Sequence, residues 1–187
     1  VLSRDNFVAF YQELLACYNK VSIEQVAANV TLDHTPENMI NQPFIQYFFP
    51  DSLTLRLIRD PRAVFASAKK VKWGPNTALS FLEEWERTEK SWLDRPTATQ
   101  YIEIVYEQFI VEPQPFLDEI TNKVGEYRGS KDPRFNLPSY TSKQHQLVSS
   151  GKGDTSRIDA WKTSLSAREI EILEGSDVLR RYLEMYH

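Results

Sequence analysis

Cysteine is almost missing from this chain. Among 187 residues there is one, Cys17, which excludes an internal disulfide framework and a cysteine-rich metal site. On a helix that is otherwise apolar, Cys17 reads as a small buried hydrophobe. Long hydrophobic runs are missing too: no stretch approaches the roughly 20 apolar residues that cross a bilayer. Val1-Leu2-Ser3-Arg4-Asp5-Asn6 carries no signal-peptide pattern, and a first residue other than Met fits a processed or truncated start. The expectation is a soluble, cytoplasmic protein, or a Golgi-lumenal one if these residues are part of a larger membrane-anchored enzyme. Nor is there an excess of positive charge. Lys and Arg number 22 against 26 Asp and Glu, a net charge of -4, which argues against a broad nucleic-acid face and for a compact anionic ligand.

What is present is enough apolar content, 41%, for one domain with a core of its own. A single domain over residues 1–187 is therefore expected. Residues 125–157 read as a long surface excursion, being poor in apolar residues and rich in Ser, Lys, Gly, Pro and Asp, and residues 158–187 read as C-terminal helices.

The most informative stretch is Leu53 to Lys70. Leu53-Thr-Leu-Arg-Leu-Ile58 is a short β-prone run that suits a buried strand of a parallel sheet, although periodicity also admits a buried helical turn. Asp60 then offers an N-cap and Pro61 fits the first helical position. Val64, Ala68 and Val71 follow at helical spacing. A strand, a tight turn and a helix place unpaired N–H groups and a partial positive charge beyond the strand's carboxyl end. Arg56, Arg59, Arg62, Lys69, Lys70 and Lys72 crowd the same segment against the single acid Asp60. Arg59 stands at the turn, where a guanidinium makes a forked contact with phosphate or sulfate. The segment reads equally as a capped crossover helix with a solvated basic face.

Elsewhere Ser3 can cap a helix with the stripe Phe7, Phe10, Leu14, Cys17 and Tyr18. A short helix near Ile23 leads to a brief strand at Asn29-Val-Thr-Leu32, then a polar turn, Asp33-His-Thr-Pro-Glu-Asn38. Pro43 to Phe49 is a helix, and Val71 to Asn76 a loop. Thr77 to Trp92 is a helix that buries Leu79, Leu82, Trp85 and the Thr88–Trp92 end. Thr99 to Tyr106 alternates as a strand, Glu107-Gln-Phe109 turns out of it, and Pro113-Gln-Pro115 opens a helix holding Phe116, Leu117, Ile120 and Val124. Ser149 to Arg157 is glycine-rich and basic but lacks Walker spacing and a preceding strand, so it is no P-loop; a flexible linker is the plain reading. Ser166 to Glu169 form a capping box, and Val178, Leu179, Tyr182, Leu183 and Tyr186 make a closing helix.

Arg59-Asp-Pro-Arg-Ala-Val-Phe-Ala-Ser67 resembles the 3′-phosphate-binding segment of the sulfotransferases that use 3′-phosphoadenosine 5′-phosphosulfate (PAPS). The resemblance extends to the turn at residues 33–38, to Ile104-Val-Tyr-Glu-Gln-Phe109, and to Arg157-Ile-Asp-Ala-Trp161-Lys162 running into its helix. It implies a three-layer α/β/α fold with a mostly parallel sheet, of the P-loop-like sulfotransferase type. The first strand and phosphosulfate-binding loop of that fold are expected ahead of Ser3 and are not among these residues.

By the same resemblance Arg59 and Ser67 hold the 3′-phosphate and Tyr106 contacts the nucleotide, although a strand-end tyrosine is as readily structural. Ser156 and Arg157 close over the phosphate, with Lys152 and Gly153 behind them. His34 stands where the family has a Lys near the transferred sulfuryl group. It either donates to a sulfuryl oxygen, takes the acceptor's proton, or simply satisfies a carbonyl in the turn. Glu37 is the other candidate base, or a first-turn acid favoured by the helix dipole. The implied co-substrate is PAPS, with no metal; the partner is a small-molecule, glycan or peptide acceptor. Alternatives are a non-catalytic nucleotide-binding module of the same fold and a fragment of a P-loop nucleotide kinase.

Overall fold

The computed structural model describes residues 3–27, 30–124 and 153–187. The chain falls into two compact units, one drawn from residues 1–55 and 85–102 and the other from 56–84 and 103–187. The architecture is α/β and mostly helical, with a small parallel sheet of two strands, β1 (Leu53–Ile58) and β2 (Gln100–Val105), among the described residues. Both strands, and α5 below, run from one unit into the other.

In the first unit, α1 (Arg4–Asn19) starts where the Ser3 side chain accepts from the Asn6 N–H, as expected, and stops at Lys20, whose φ of 55° is left-handed. That conformation costs a non-glycine residue roughly 1 kcal/mol; the Lys20 N–H recovers part of it by donating to the Ala16 and Cys17 carbonyls. Ser22 and Gln25 then cap α2 (Ile23–Ala27) reciprocally, each side-chain oxygen taking the other's backbone N–H. A 3₁₀ turn at Pro36–Met39 precedes α3 (Gln42–Phe48).

Packing inside this unit is aromatic. The Phe7 ring lies 4.2 Å from Phe48 and meets Phe44 edge-on at 5.4 Å, while Tyr11 lies 5.3 Å from Phe49. The face of α1 that packs is therefore Phe7, Tyr11 and the buried Ala16. Of the expected stripe only Phe7 packs: Phe10, Leu14 and Tyr18 are 59%, 53% and 84% exposed, and Cys17 is exposed rather than buried. Helical spacing alone does not tell two apolar faces apart, and the rings of α3 decide between them. Gln42, at 1% exposure, is a buried polar residue with both ends of its amide used, donating to the Asn38 carbonyl and accepting from the Thr54 hydroxyl. Val30 to Leu32 is not the strand expected at residues 29–32. Val30 and Leu32 are both exposed and the backbone is irregular, since among the described residues no strand pairs with it.

In the second unit, α4 (Pro61–Ala68) has the predicted start: Asp60 accepts from the Arg62 N–H and Pro61 takes the first position. Its buried face is Ala63, Phe65 and Ala66 rather than the Val64 and Ala68 line, with Phe65 5.3 Å from Phe81. The following turn needs Gly74, because a Cβ there would sit 1.9 Å from the Ala68 carbonyl oxygen. Next comes α5 (Ala78–Leu93), in which Phe81, Leu82 and Trp92 are buried and Leu79, expected inside, is 56% exposed.

Immediately after β2, α6 (Tyr106–Val111) is a short helix where a turn was expected, and α7 (Gln114–Val124) follows with Leu117 and Val124 exposed. A 3₁₀ turn at Thr155–Arg157 leads to α8 (Trp161–Ser164), α9 (Ala167–Glu174) and α10 (Asp177–Tyr186). Both halves of the Ser166–Glu169 capping box form. Strand β1 alternates instead of being buried throughout: Arg56 and Ile58 are inside, whereas Leu55 and Leu57 are 38% and 62% exposed.

Candidate functional site

The basic cluster around α4 is less basic than its sequence. Arg56, buried in β1, donates to Glu103 at 2.6 Å and to the Tyr186 hydroxyl at 2.9 Å. Burial and the Glu103 carboxylate push the Tyr186 phenol up, with Arg56 pulling the other way. Arg62 forks onto the Asp60 carboxylate at 2.8 Å, reaches Glu174 at 2.6 Å, and has its guanidinium 4.0 Å from the centre of the Trp161 ring. Burial opposes the Arg62 charge, but the bonds to Asp60 and Glu174 outweigh it and hold the guanidinium above its ordinary value. Lys69 pairs with Glu169 at 3.0 Å. Three of the six cations are thus consumed by the fold.

Arg59 differs from these three. It sits where β1 hands over to α4 and pairs with no carboxylate among the described residues; its guanidinium carbon lies 4.4 Å from the centre of the Tyr106 ring. Its Nε is buried without a hydrogen-bond partner among those residues. A buried donor left unpaired costs about 1–3 kcal/mol, so an acceptor at this Nε would be stabilising. The head of α4 itself offers little: the Asp60 N–H donates to Glu107 at 3.1 Å and the Arg62 N–H to Asp60 at 2.8 Å. An anion at this junction therefore depends on the Arg59 side chain more than on the helix N-terminus.

Ser67 is exposed in the last turn of α4, about 9 Å of helical rise beyond Pro61. Tyr106 opens α6, beneath Arg59. Gly153 passes so close to α6 that a Cβ would lie 2.7 Å from the Ile110 side chain, and the 3₁₀ turn holding Ser156 and Arg157 packs on α6 as well. This unit thus brings Arg59, Tyr106, Gly153 and the 155–157 turn to the elements at one end of β2. Ser156 and Arg157 are committed to Asp154: the Ser156 hydroxyl donates at 2.5 Å and Arg157 pairs at 3.4 Å. Those contacts, Ser156 first, hold the Asp154 carboxyl below its usual range. Lys152 lies outside the described residues.

His34 and Glu37 belong to the first unit. Asp33 builds the turn, accepting from the Thr35 hydroxyl at 2.6 Å and from its N–H at 2.9 Å, and these bonds depress its carboxyl. His34 is exposed beside it, and Glu37 is exposed in the 3₁₀ turn. Sequence reasoning missed Glu107, read only as a turn residue; the signal was its place directly after Tyr106, which brings its carboxylate to the Asp60 N–H.

A strand end, a capped helix and a guanidinium over an aromatic ring, unpaired with any described carboxylate, meet here in an α/β protein. A family model described as "Sulfotransferase family" matches residues 3–127, more than half of the chain, and the chain belongs to that family. Among curated proteins and among solved structures, none matches it. The family match ends before residue 153, so the resemblance at 155–170 rests on those residues alone. Membership gives a transferase with a sulfotransferase role in general. No described helix is long and apolar enough to cross a membrane.

Proposed function

We propose that this protein moves a sulfuryl group from PAPS to a hydroxyl or amine acceptor, and that Arg59 grips the 3′-phosphate of the donor. The observation that supports this most is the state of Arg59: buried at Nε, unpaired with any described carboxylate, and backed by Tyr106. A phosphate supplies the acceptor oxygens and negative charge that such a side chain lacks. Tyr106 flanks the nucleotide, Ser67 adds a hydroxyl, and Gly153, Ser156 and Arg157, with Lys152, form the closing segment.

In the transfer step, His34 or Glu37 takes the acceptor's proton while the acceptor atom bonds to sulfur. The sulfur–oxygen bond to the donor's phosphate breaks, and its electron pair leaves with 3′-phosphoadenosine 5′-phosphate. Positive groups stabilise the charge gathering on the sulfuryl and phosphate oxygens. The acceptor is a small molecule, a glycan or a peptide.

The test is a thermal-shift titration with 3′-phosphoadenosine 5′-phosphate against 5′-AMP, which differ by the 3′-phosphate alone. The expected result is a clear preference for the former, lost in Arg59→Ala with the fold intact. Equal shifts with both nucleotides would refute the donor assignment. Release of 3′-phosphoadenosine 5′-phosphate from PAPS only when an acceptor is present separates an enzyme from a non-catalytic binder.

A further inference from the structure

Two adjacent residues of α6 act on the same short piece of β1–α4, one on its side chain and one on its backbone. The Tyr106 ring lies under the Arg59 guanidinium, 4.4 Å from centroid to carbon. The next residue, Glu107, accepts the Asp60 N–H through Oε1 at 3.1 Å. That N–H belongs to the peptide joining Arg59 to Asp60, so its hydrogen bond fixes the plane from which the Arg59 side chain departs. Asp60 is tied at its other end by Arg62, at 2.8 Å. The Glu107 side chain is 14% exposed; its Oε2 is buried with no hydrogen bond among the described residues, and the His187 Nδ1 lies 3.9 Å from it. Oε1 makes the only close polar contact of the carboxylate among those residues.

We infer that Glu107 is a positioning residue for anion capture: it anchors the Arg59–Asp60 peptide while Tyr106 supports the guanidinium, so that the pair presets Arg59 before a ligand arrives. This rests on the donor assignment above but concerns a residue that assignment does not use. The reason for a carboxylate so close to an anion site is reach and acceptor capacity rather than charge. A side chain of glutamate length meets the Asp60 N–H, and its own negative charge disfavours the ligand.

Three variants separate reach, acceptor capacity and charge. Glu107→Gln keeps the acceptor and the length and drops the charge; Glu107→Asp keeps the charge and loses the reach; Glu107→Ala loses both. The expected result is that Glu107→Gln binds 3′-phosphoadenosine 5′-phosphate as tightly as the parent or tighter. Glu107→Asp and Glu107→Ala should each bind it about tenfold more weakly, with 5′-AMP affinity unchanged. A second readout needs no nucleotide: the buried Arg59 Nε–H should give a dispersed NMR signal in the parent and in Glu107→Gln, and a broadened or shifted one in Glu107→Asp. Should Glu107→Ala fail to fold, the Gln and Asp pair carries both measurements. An unchanged Arg59 signal and unchanged nucleotide affinity in Glu107→Asp would overturn the inference, as would a tenfold loss in Glu107→Gln. A parent protein without nucleotide preference refutes the donor assignment instead, and the NMR comparison then still decides whether Glu107 sets Arg59.

Discussion

At the scale of single residues, what separates Arg59 from its basic neighbours is the company each keeps. Arg56 and Arg62 are both more buried than a surface cation, and each meets carboxylates at 2.6 Å. Removing one partner from a buried pair leaves an uncompensated charge, so these side chains belong to folding. Arg59 meets a ring. A cation over an aromatic face contributes about 0.5–2 kcal/mol, depending on desolvation. Replacing Tyr106 with Leu removes that support and should weaken binding of 3′-phosphoadenosine 5′-phosphate by roughly 2- to 30-fold, the same energy expressed as affinity. Tyr106→Phe keeps the ring face and should stay within about twofold. Calorimetric titration of both variants checks this, and equal losses in Phe and Leu would assign the role to the hydroxyl instead.

At the scale of elements, end signals were more legible in the sequence than faces. Asp60-Pro61, Ser3 and the Ser166–Glu169 box each mark a helix start that forms with the side-chain bond expected of it, because a cap is decided within four residues. Which side of a helix is buried is decided by what packs on it. On that question Phe10, Leu14, Cys17 and Leu79 were misread, since the aromatic rings of α3 and the neighbours of α5 lie far away in sequence. The candidate site divides the same way. Arg59 was legible from its place at a turn, whereas Glu107 becomes functional only through a contact 47 positions away.

The cap at α9 also links an element to the basic cluster. The Glu169 carboxylate takes the Ser166 N–H at 2.7 Å and pairs with Lys69 at 3.0 Å. Ser166→Ala removes the hydroxyl half of the box and should cost about 1 kcal/mol of stability, read as a lower midpoint in urea with an unchanged slope. The nucleotide preference should survive. Its loss would mean that α9 shapes the anion site and not merely the fold.

At the scale of the whole molecule, the net charge is -4, and even around α4 half of the local cations, Arg56, Arg62 and Lys69, are neutralised in place by carboxylates. The same carboxylates set how the protein responds to acid. Glu169 is held below its ordinary value by the Ser166 N–H and then by Lys69, and Asp33 by the Thr35 hydroxyl and N–H. A carboxyl whose folded pKa is depressed binds its proton more readily once unfolded. Its contribution is complete above the unfolded value of about 4 and disappears as pH falls through the folded one.

Tyr11 and Tyr186 act at the opposite end. Burial raises both phenols, helped by Asp33 at Tyr11 and by Glu103 at Tyr186, where Arg56 opposes. Their folded forms hold protons that the unfolded chain gives up near pH 10, so stability present below that value is lost as pH rises through the folded one. The expected melting profile is therefore a plateau through neutral pH with a descending limb below about pH 4.5 and another above about pH 10. Asp33→Asn and Glu169→Gln should each lower the plateau and flatten the acid limb, because the variant side chain no longer has a proton to gain. Melting curves from pH 3 to 8 decide it. An acid limb as steep in both variants as in the parent would show that other carboxylates govern acid unfolding.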